Sequence, residues 1–413
     1  MNFNRRCYAA LVLALLLVST AWGQVGQKPK VRAITAFVRI DHDHYQQQIQ
    51  DALTMLRSAK AAYEKEGYEV ETIRITTQPF PEYVSGMSEE QALTFLKALD
   101  DLSVKEKFLP NVGPAMRRDR DDPRYVDILK KALSTLPNIE GSIIVADEYG
   151  IQWKAVKATA AVVKYVADHS AHSQGTFNFT ATAMLAPYGP FFPGSYFLGA
   201  GHQFSVGLES ANVVDDVFAS THGDANLATK ALTVALTKYA VQCEAIARRV
   251  AQESGWVYAG LDPTPTPLAK VSIGAAMEKF IGARFGSSGT LTAAYVITHA
   301  VQAVPVKRVG YSGLMVPVME DATLAQRWEE GTINIDSLLA YSSVCGTGLD
   351  TIPLPGDVTE EQLAHMVGDM ASLAFKWKKP LSARLQPVAG KRAGERTEFD
   401  DPYLTNTLIQ KLP

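Results

Sequence analysis

Only three cysteines occur in 413 residues, at positions 7, 243 and 345. That is too few for a disulfide scaffold, and their spacing is not that of a zinc ribbon. Neither sign of charge prevails, with 40 Lys+Arg against 43 Asp+Glu and a formal net charge of −3. The chain therefore lacks the basic excess that nucleic-acid binding requires. A phosphate-loop motif is missing, and so is the third glycine of a dinucleotide fingerprint: Gly346-Thr347-Gly348 continues as Leu349-Asp350-Thr351. With these go the usual grounds for expecting a nucleotide cofactor. What is present, 47% hydrophobic and 20% charged residues, excludes disordered, fibrous and multi-span membrane chains and suits a globular protein with a full core.

The N-terminus has a recognisable pattern. Arg5 and Arg6 precede a nearly continuous apolar run over 8–20, and Ala21-Trp22-Gly23 places small residues before Gln24. A positive region, a short greasy core and a small-residue site describe a secretory signal peptide. The run is shorter than the ~20 residues of a spanning helix. Residues 1–23 are thus expected to be removed, leaving residues 24–413 periplasmic or secreted, with no membrane contact and two cysteines, read as separate thiols.

Strand and helix patterns alternate along the rest. Residues 31–40 and 68–76 read as strands around a helix over 45–66. Ser88 with Gln91 starts a helix running to 108, since a small hydroxyl with Gln three residues on forms a capping box. The stretch 141–146 is a short buried strand. A helix over 153–166 and strand-like segments 176–185 and 203–208 follow. The longest helix spans 224–255, with Leu227, Ala231, Leu232, Ala235, Leu236 and Tyr239 at helical spacing. A strand over 256–261, a proline-rich loop, further helices, a last helix over 359–376 and a strand over 381–388 complete the chain. Strands separated by such helices imply parallel crossovers, hence one large α/β domain.

Several groups attract chemical readings. His42 and His44 lie two apart after the first strand, where they can face one way and clamp a metal; a solvated strand end is the alternative. Asp147-Glu148 ends a strand and equally suits a helix cap. Gly310-Tyr311-Ser312-Gly313 resembles a nucleophile elbow, but Leu314 replaces its last glycine. The aromatic, proline-stiffened loop from Pro187 to Phe197 is either a binding platform carrying Tyr188 and Tyr196 or a plug under a barrel mouth. His202 and Glu209 flank the strand that follows. The stretch from Cys345 to Asp357 reads as a Gly- and Pro-rich turn in which Asp350 and Asp357 stand near a cysteine that is either reactive or structural.

The blocks VRAITAFV, PFFPGSYF with VGLES, VSIGAAMEKF, GYSGLMVPVMED, VCGTGLDTIPLPGD, and KPLSARLQPVAGKRAGE with FDDPY resemble the family known as domain of unknown function 711, or uncharacterised protein family 0210. They span 31–403. The resemblance implies a single α/β barrel of about ten strands, similar to pyruvate formate-lyase and anaerobic ribonucleotide reductase, and a homodimer; it implies no established reaction. Arg308-Val309-Gly310-Tyr311 is one residue short of a glycyl-radical signature and precedes Cys345, so a shared fold carries no radical chemistry with it.

The sequence thus points to an exported barrel protein acting on a small polar molecule, with no nucleotide cofactor and no other cofactor identified. Cys345, Asp350 and Glu209 are the candidate catalytic groups. His202, Tyr188, Tyr196, Tyr311, Ser312, Asp357 and Arg384 are the candidate ligand contacts. A non-catalytic small-ligand binder, or a metal-dependent hydrolase using His42 and His44, is the alternative. Protein recovered from its native host should start near Gln24 on N-terminal sequencing; intact Met1 on soluble cytoplasmic protein would contradict export.

Overall fold

The computed structural model describes residues 27–412, so the signal segment, with Arg5, Arg6 and Cys7, lies outside the described residues. In order come β1 (Lys30–Val38), α1 (Tyr45–Lys65), β2 (Val70–Thr77), α2 (Glu89–Glu106), β3 (Leu109–Pro114), α3 (Arg124–Thr135) and β4 (Glu140–Asp147). The short β5 (Gly150–Ile151), α4 (Trp153–His169), β6 (Phe179–Ala183), β7 (Gln203–Glu209), α5 (Ala211–Thr221), α6 (Ala225–Ser254) and β8 (Val257–Asp262) follow. The last third holds α7 (Ile273–Ile281), α8 (Thr290–Gln302), α9 (Ala322–Glu329), α10 (Ile335–Ser342), β9 (Gly348–Pro355), α11 (Glu360–Trp377) and β10 (Leu381–Val388).

Local chemistry sets many of these ends. Ser88 accepts from the Gln91 N–H while the Gln91 side chain accepts from the Ser88 N–H, the expected capping box of α2. Thr359 and Gln362 do the same for α11. The Asp224 carboxylate accepts from the N–H groups of Asn226 and Leu227 to open α6, and Gly255, at φ 74°, closes it.

The strands form one sheet in the order β8-β7-β1-β2-β3-β4-β6-β10-β9, with β5 on β4. β1, β2, β3, β4 and β6 are mutually parallel. β7 and β10 flank that block antiparallel to it, each with a parallel outer neighbour, β8 and β9. The two edges meet through the extended segment 307–319. Leu261 N–H donates to the Lys307 carbonyl (2.8 Å) and Val309 N–H to the Leu261 carbonyl (3.2 Å) on one side. On the other, Val318 N–H donates to the Asp350 carbonyl (3.0 Å). The sheet is thereby closed into the α/β barrel expected, the segment covering part of both edges.

Side chains alternate in and out along each strand. The outward set (Ile75 on β2; Ile143 and Val145 on β4; Ala181 and Ala183 on β6; Ala383 and Leu385 on β10) joins the main apolar core beneath the helices. Inward come Thr72, Arg74, Glu140, Thr180, Ser382 and Arg384. The barrel is apolar outside and polar inside. A plug fills part of this lumen. The aromatic loop enters it, with Thr35 Oγ1 donating to the Pro190 carbonyl (2.8 Å), Asn111 Nδ2 to the Pro193 carbonyl (2.6 Å), and Ser195 Oγ to the Gly189 carbonyl (2.8 Å).

One expectation needs correction: most of the Cys345–Asp357 stretch is a strand, β9, and not a turn. The structure also adds a strand, β3, at LPNVGP over 109–114. Both contain prolines, which read as loop locally but are tolerated where ladder bonds are few, and the registers of β3 and β9 are both interrupted. Leu227, placed in the apolar pattern of the long helix, is 47% exposed and belongs with Val234 and Val241 to a surface stripe at seven-residue spacing. Leu291 and Tyr295 of the adjacent α8 are exposed too. Among the described residues no helix is long and apolar enough to cross a membrane.

Candidate functional site

Inside the barrel lies a cavity of ≈ 100 Å³, room for several water-sized groups. Its polar wall is built from neighbouring strands: Arg32 on β1, Thr72 and Arg74 on β2, Glu140 on β4, Thr180 on β6, Asp350 on β9, and Ser382 and Arg384 on β10. Glu320 follows the closing segment, and Tyr311, Phe192 and Tyr403 come from loops.

Three arginines dominate the electrostatics. Arg384 donates from Nε to Asp350 Oδ1 (2.8 Å) and from Nη2 to Glu320 Oε2 (2.5 Å). Burial opposes its charge, yet Asp350 and Glu320 outweigh that and hold the guanidinium above its ordinary value. Arg32 pairs with Glu71 (2.9 Å), Glu209 (3.3 Å) and Glu320 (3.6 Å). Glu320 thus links the two clusters. Each arginine also lies over an aromatic ring: Arg32 over Tyr403 (5.1 Å), Arg74 over Phe192 (5.0 Å) and Arg384 over Phe177 (4.7 Å). Such stacking holds a guanidinium plane without using its in-plane donors.

Arg74 differs from the other two. It is 7% exposed, and its Nε donates to Thr72 Oγ1 (2.9 Å). Arg32 and Arg384 have ion-paired terminal nitrogens; among the described residues those of Arg74 have no carboxylate within ion-pair distance. Burial lowers its pKa to about 10, Arg32 adding to this and Glu140 opposing it. At neutral pH it stays charged.

The carboxyls respond in the opposite sense. Burial drives Glu140 up to about 8, although Arg74 and Arg384 pull it down. Among the described residues its side chain has no hydrogen-bond or ion-pair partner. Burial, and then the neighbouring Glu71 carboxyl, push Glu209 up to about 8. Asp350 is raised by burial against the pull of Arg384. Further along the same inward faces, Ser142, Thr182 and Gln386 carry buried polar atoms that no protein group satisfies. A lumen with such groups is built to hold water or a polar ligand.

The loops that line the cavity are pinned by Asp262, which is fully buried. Its carboxylate accepts from the N–H groups of Tyr311 (2.7 Å) and Ser312 (3.1 Å) and from Thr264. Burial raises it to about 6 despite these bonds. Gly310, at φ 69°, has no room for a Cβ against that carboxylate, so the glycine is a packing requirement.

Of the residues singled out from sequence, the structure brings Asp350, Arg384 and Tyr311 together on the cavity wall. Glu209 stands behind it, reaching the cavity through Arg32. Ser312 donates to the Val309 carbonyl (3.1 Å) and does not line the cavity. Cys345 is set apart: its thiol sits in the apolar core, and burial raises its pKa, the reverse of what a nucleophile needs. His202 is at the other end of β7, against Trp256 (5.1 Å between rings). Tyr188 and Tyr196 spend their hydroxyls on the carbonyls of Leu198 (2.6 Å) and Leu185 (2.7 Å); it is Phe192 of that loop which faces the cavity. Asp357 is exposed past the end of β9. His42 and His44 are surface groups bonded to Asp43 (3.1 Å) and Asp41 (2.8 Å), and among the described residues no cluster of three metal-ligating side chains occurs. The concave end expected to gather Cys345, Asp350, Glu209 and His202 is therefore a different set.

Arg74, Glu140, Arg32 and Glu320 were not singled out from sequence. The signal was there in part: Thr72-Arg74-Thr76 and Ser382-Arg384-Gln386 alternate polar residues with apolar ones, the mark of a strand with one polar face. Only the closed barrel shows that the polar face is the inner one.

A family model described as "Uncharacterised ACR (DUF711)" matches residues 25–400. A "UPF0210 protein" of Pyrobaculum arsenaticum is 29% identical over 363 residues, covering 84% of this chain and 80% of that one. Another, of Pyrobaculum aerophilum, is 32% identical over 294 residues, covering 69% of this chain and 64% of its relative. Among solved structures, the anaerobic ribonucleotide reductase of Thermotoga maritima in complex with dATP and CTP is similar with a TM-score of 0.43 and 9% identity, covering 92% and 79% of the two chains.

The raised Glu140 has a consequence for stability. Its folded pKa, about 8, exceeds its ordinary 4.5, so the folded state holds a proton that the unfolded state releases between those values. The stability it contributes is complete below pH 4.5 and is lost as pH rises towards 8. Glu140→Gln should gain stability relative to the parent protein as pH goes from 5 to 8, read from denaturant midpoints. A difference independent of pH would contradict the raised carboxyl.

Proposed function

The chain belongs to the DUF711 family, and from its polar lumen we propose that it is an enzyme performing acid–base chemistry on a small polar molecule held inside the barrel. One observation carries the reading: a cavity-lining carboxyl, Glu140, has no hydrogen-bond or ion-pair partner among the described residues, and burial pushes its pKa up to about 8. A group with that pKa can both take and give a proton at physiological pH, which is what a general acid or base requires. Buried structural carboxylates are usually ion-paired or fully hydrogen-bonded, as Asp262 and Asp350 are.

In this reading Glu140 exchanges the proton. Asp350, fixed by Arg384, accepts a hydrogen bond from a ligand hydroxyl or amine, and Arg384 and Arg32 keep the local charge balanced through Glu320. The Tyr311 hydroxyl, its pKa raised by burial, serves as a neutral donor. Glu209 holds Arg32 in place. The cavity volume suits a metabolite of a few non-hydrogen atoms. We place the reaction outside the cytoplasm, on the strength of the Arg5/Arg6 segment and its apolar run. We also propose the exposed Leu227, Val234, Val241, Leu291 and Tyr295 stripe as the face of a homodimer.

A second reading, a non-catalytic binder of the same molecule, is favoured by the plugging aromatic loop, whose Phe192 closes one wall. One experiment separates the two. An unbiased metabolite screen by thermal shift, with product analysis of each hit, should yield a ligand that the wild-type protein converts. Glu140→Gln should bind that ligand within about threefold of wild type while losing at least 10²-fold in kcat, the usual size of a general acid–base contribution. Binding without conversion in wild type favours the binder. Unchanged kcat in the variant removes Glu140 from the chemistry.

A further inference from the structure

We propose that the molecule bound in the lumen carries a carboxylate and that Arg74 is its anchor. The proposal rests on the reading of the lumen as the active site and adds to it a substrate class. Arg32 gives its terminal nitrogens to Glu71, Glu209 and Glu320, and Arg384 gives Nε to Asp350 and Nη2 to Glu320. Arg74 gives the protein one bond, from Nε to Thr72 Oγ1, although it is 7% exposed and lines the cavity. A buried ion is tolerated when paired and costly when not. Here no described residue supplies the partner, and the cavity beside the guanidinium is where one fits.

The chemistry of that partner follows from three constraints. The Phe192 ring lies against the guanidinium, 5.0 Å from its centroid, so the free donors are those at the in-plane edge. Such an edge matches the two oxygens of a carboxylate in a bidentate pair. The same wall already holds Glu320 and Asp350, so a dianion such as phosphate meets repulsion that a monoanion meets less. Glu140 is carried on β4 near Arg74, and in its protonated state it donates a hydrogen bond to an anion instead of repelling it. The available volume, ≈ 100 Å³, admits a short-chain carboxylic acid.

The probes are sodium formate, acetate and glycolate, with sodium phosphate and chloride at matched ionic strength, read by thermal shift and by calorimetric titration of the purified full chain. At least one of the three carboxylates should stabilise the wild-type protein saturably, and phosphate should do no more than chloride. Arg74→Met removes an unpaired buried charge, so it should melt no lower than wild type while weakening carboxylate binding at least tenfold. Arg74→Lys keeps the charge and loses the fork; it too should bind at least tenfold more weakly, and it decides the matter if the methionine variant does not fold. The proposal is overturned if no carboxylate binds saturably, if either folded variant binds as wild type does, or if phosphate binds more tightly than all three. These results are independent of the proton chemistry. Glu140→Gln with lost turnover and no carboxylate binding anywhere keeps the acid–base site and removes the anchor. Arg74-dependent binding with unchanged turnover in Glu140→Gln does the reverse.

Discussion

Three guanidinium groups inside a closed barrel are the constraint on which the rest of this structure depends. An arginine cannot be neutralised by giving up its proton at physiological pH, so each one buried must be met by carboxylates, aromatic faces or ligand. Glu320 meets two of them, bridging the Arg32 cluster to the Arg384 cluster. The strands contribute the other carboxyls: Asp350 from β9, Glu209 from β7 and Glu71 from β2. The aromatic loop, otherwise an odd run of Phe and Pro, supplies Phe192 to one arginine and fills the space that a larger lumen would leave to solvent. The C-terminal FDDPY segment closes over Arg32 with Tyr403.

The same constraint explains how carboxyls come to be displaced from their ordinary range. Once Arg32 and Arg384 are consumed by their partners, Glu140 is left in the cavity wall with only the electrostatic pull of Arg74 and Arg384 to keep it ionised. Burial wins, and its pKa rises to about 8. Arg74 is the counterpart: a cation whose terminal nitrogens find no carboxylate. A carboxylic acid and a cation left without protein partners beside one cavity are the kind of arrangement found at functional sites.

Features encoded within a few residues of one another were legible in the sequence. Ser88/Gln91, Asp224 and Gly255 mark helix ends by bonds that each helix makes with itself, and those helices stand where the pattern put them. β3 and β9 were not legible, because Pro110, Pro353 and Pro355 advertise loops, and only pairing across the barrel makes strands of them. Of the cavity wall, Asp350, Arg384 and Tyr311 were singled out because they lie in distinctive blocks. Arg74 and Glu140 sit in ordinary strands, where an alternating polar residue reads as solvent-facing. The inversion, polar inward and apolar outward, is a property of closure and cannot be seen from any single strand. Cys345 misled for the converse reason: glycines around it suggested access, yet the tertiary fold turns its thiol into the apolar core.

In the function proposed for it, the lumen keeps a carboxylic acid, Glu140, protonated at neutral pH and poised for proton exchange. Isotope-edited infrared or carbon NMR titration of protein labelled at the glutamate carboxyls tests it directly. At pH 7 the protein should show two glutamic acid signals, from Glu140 and Glu209, that disappear with midpoints near 8, and Glu140→Gln should lose one of them and keep the other. Both signals retained in Glu140→Gln, or complete ionisation of every glutamate below pH 6, would contradict it.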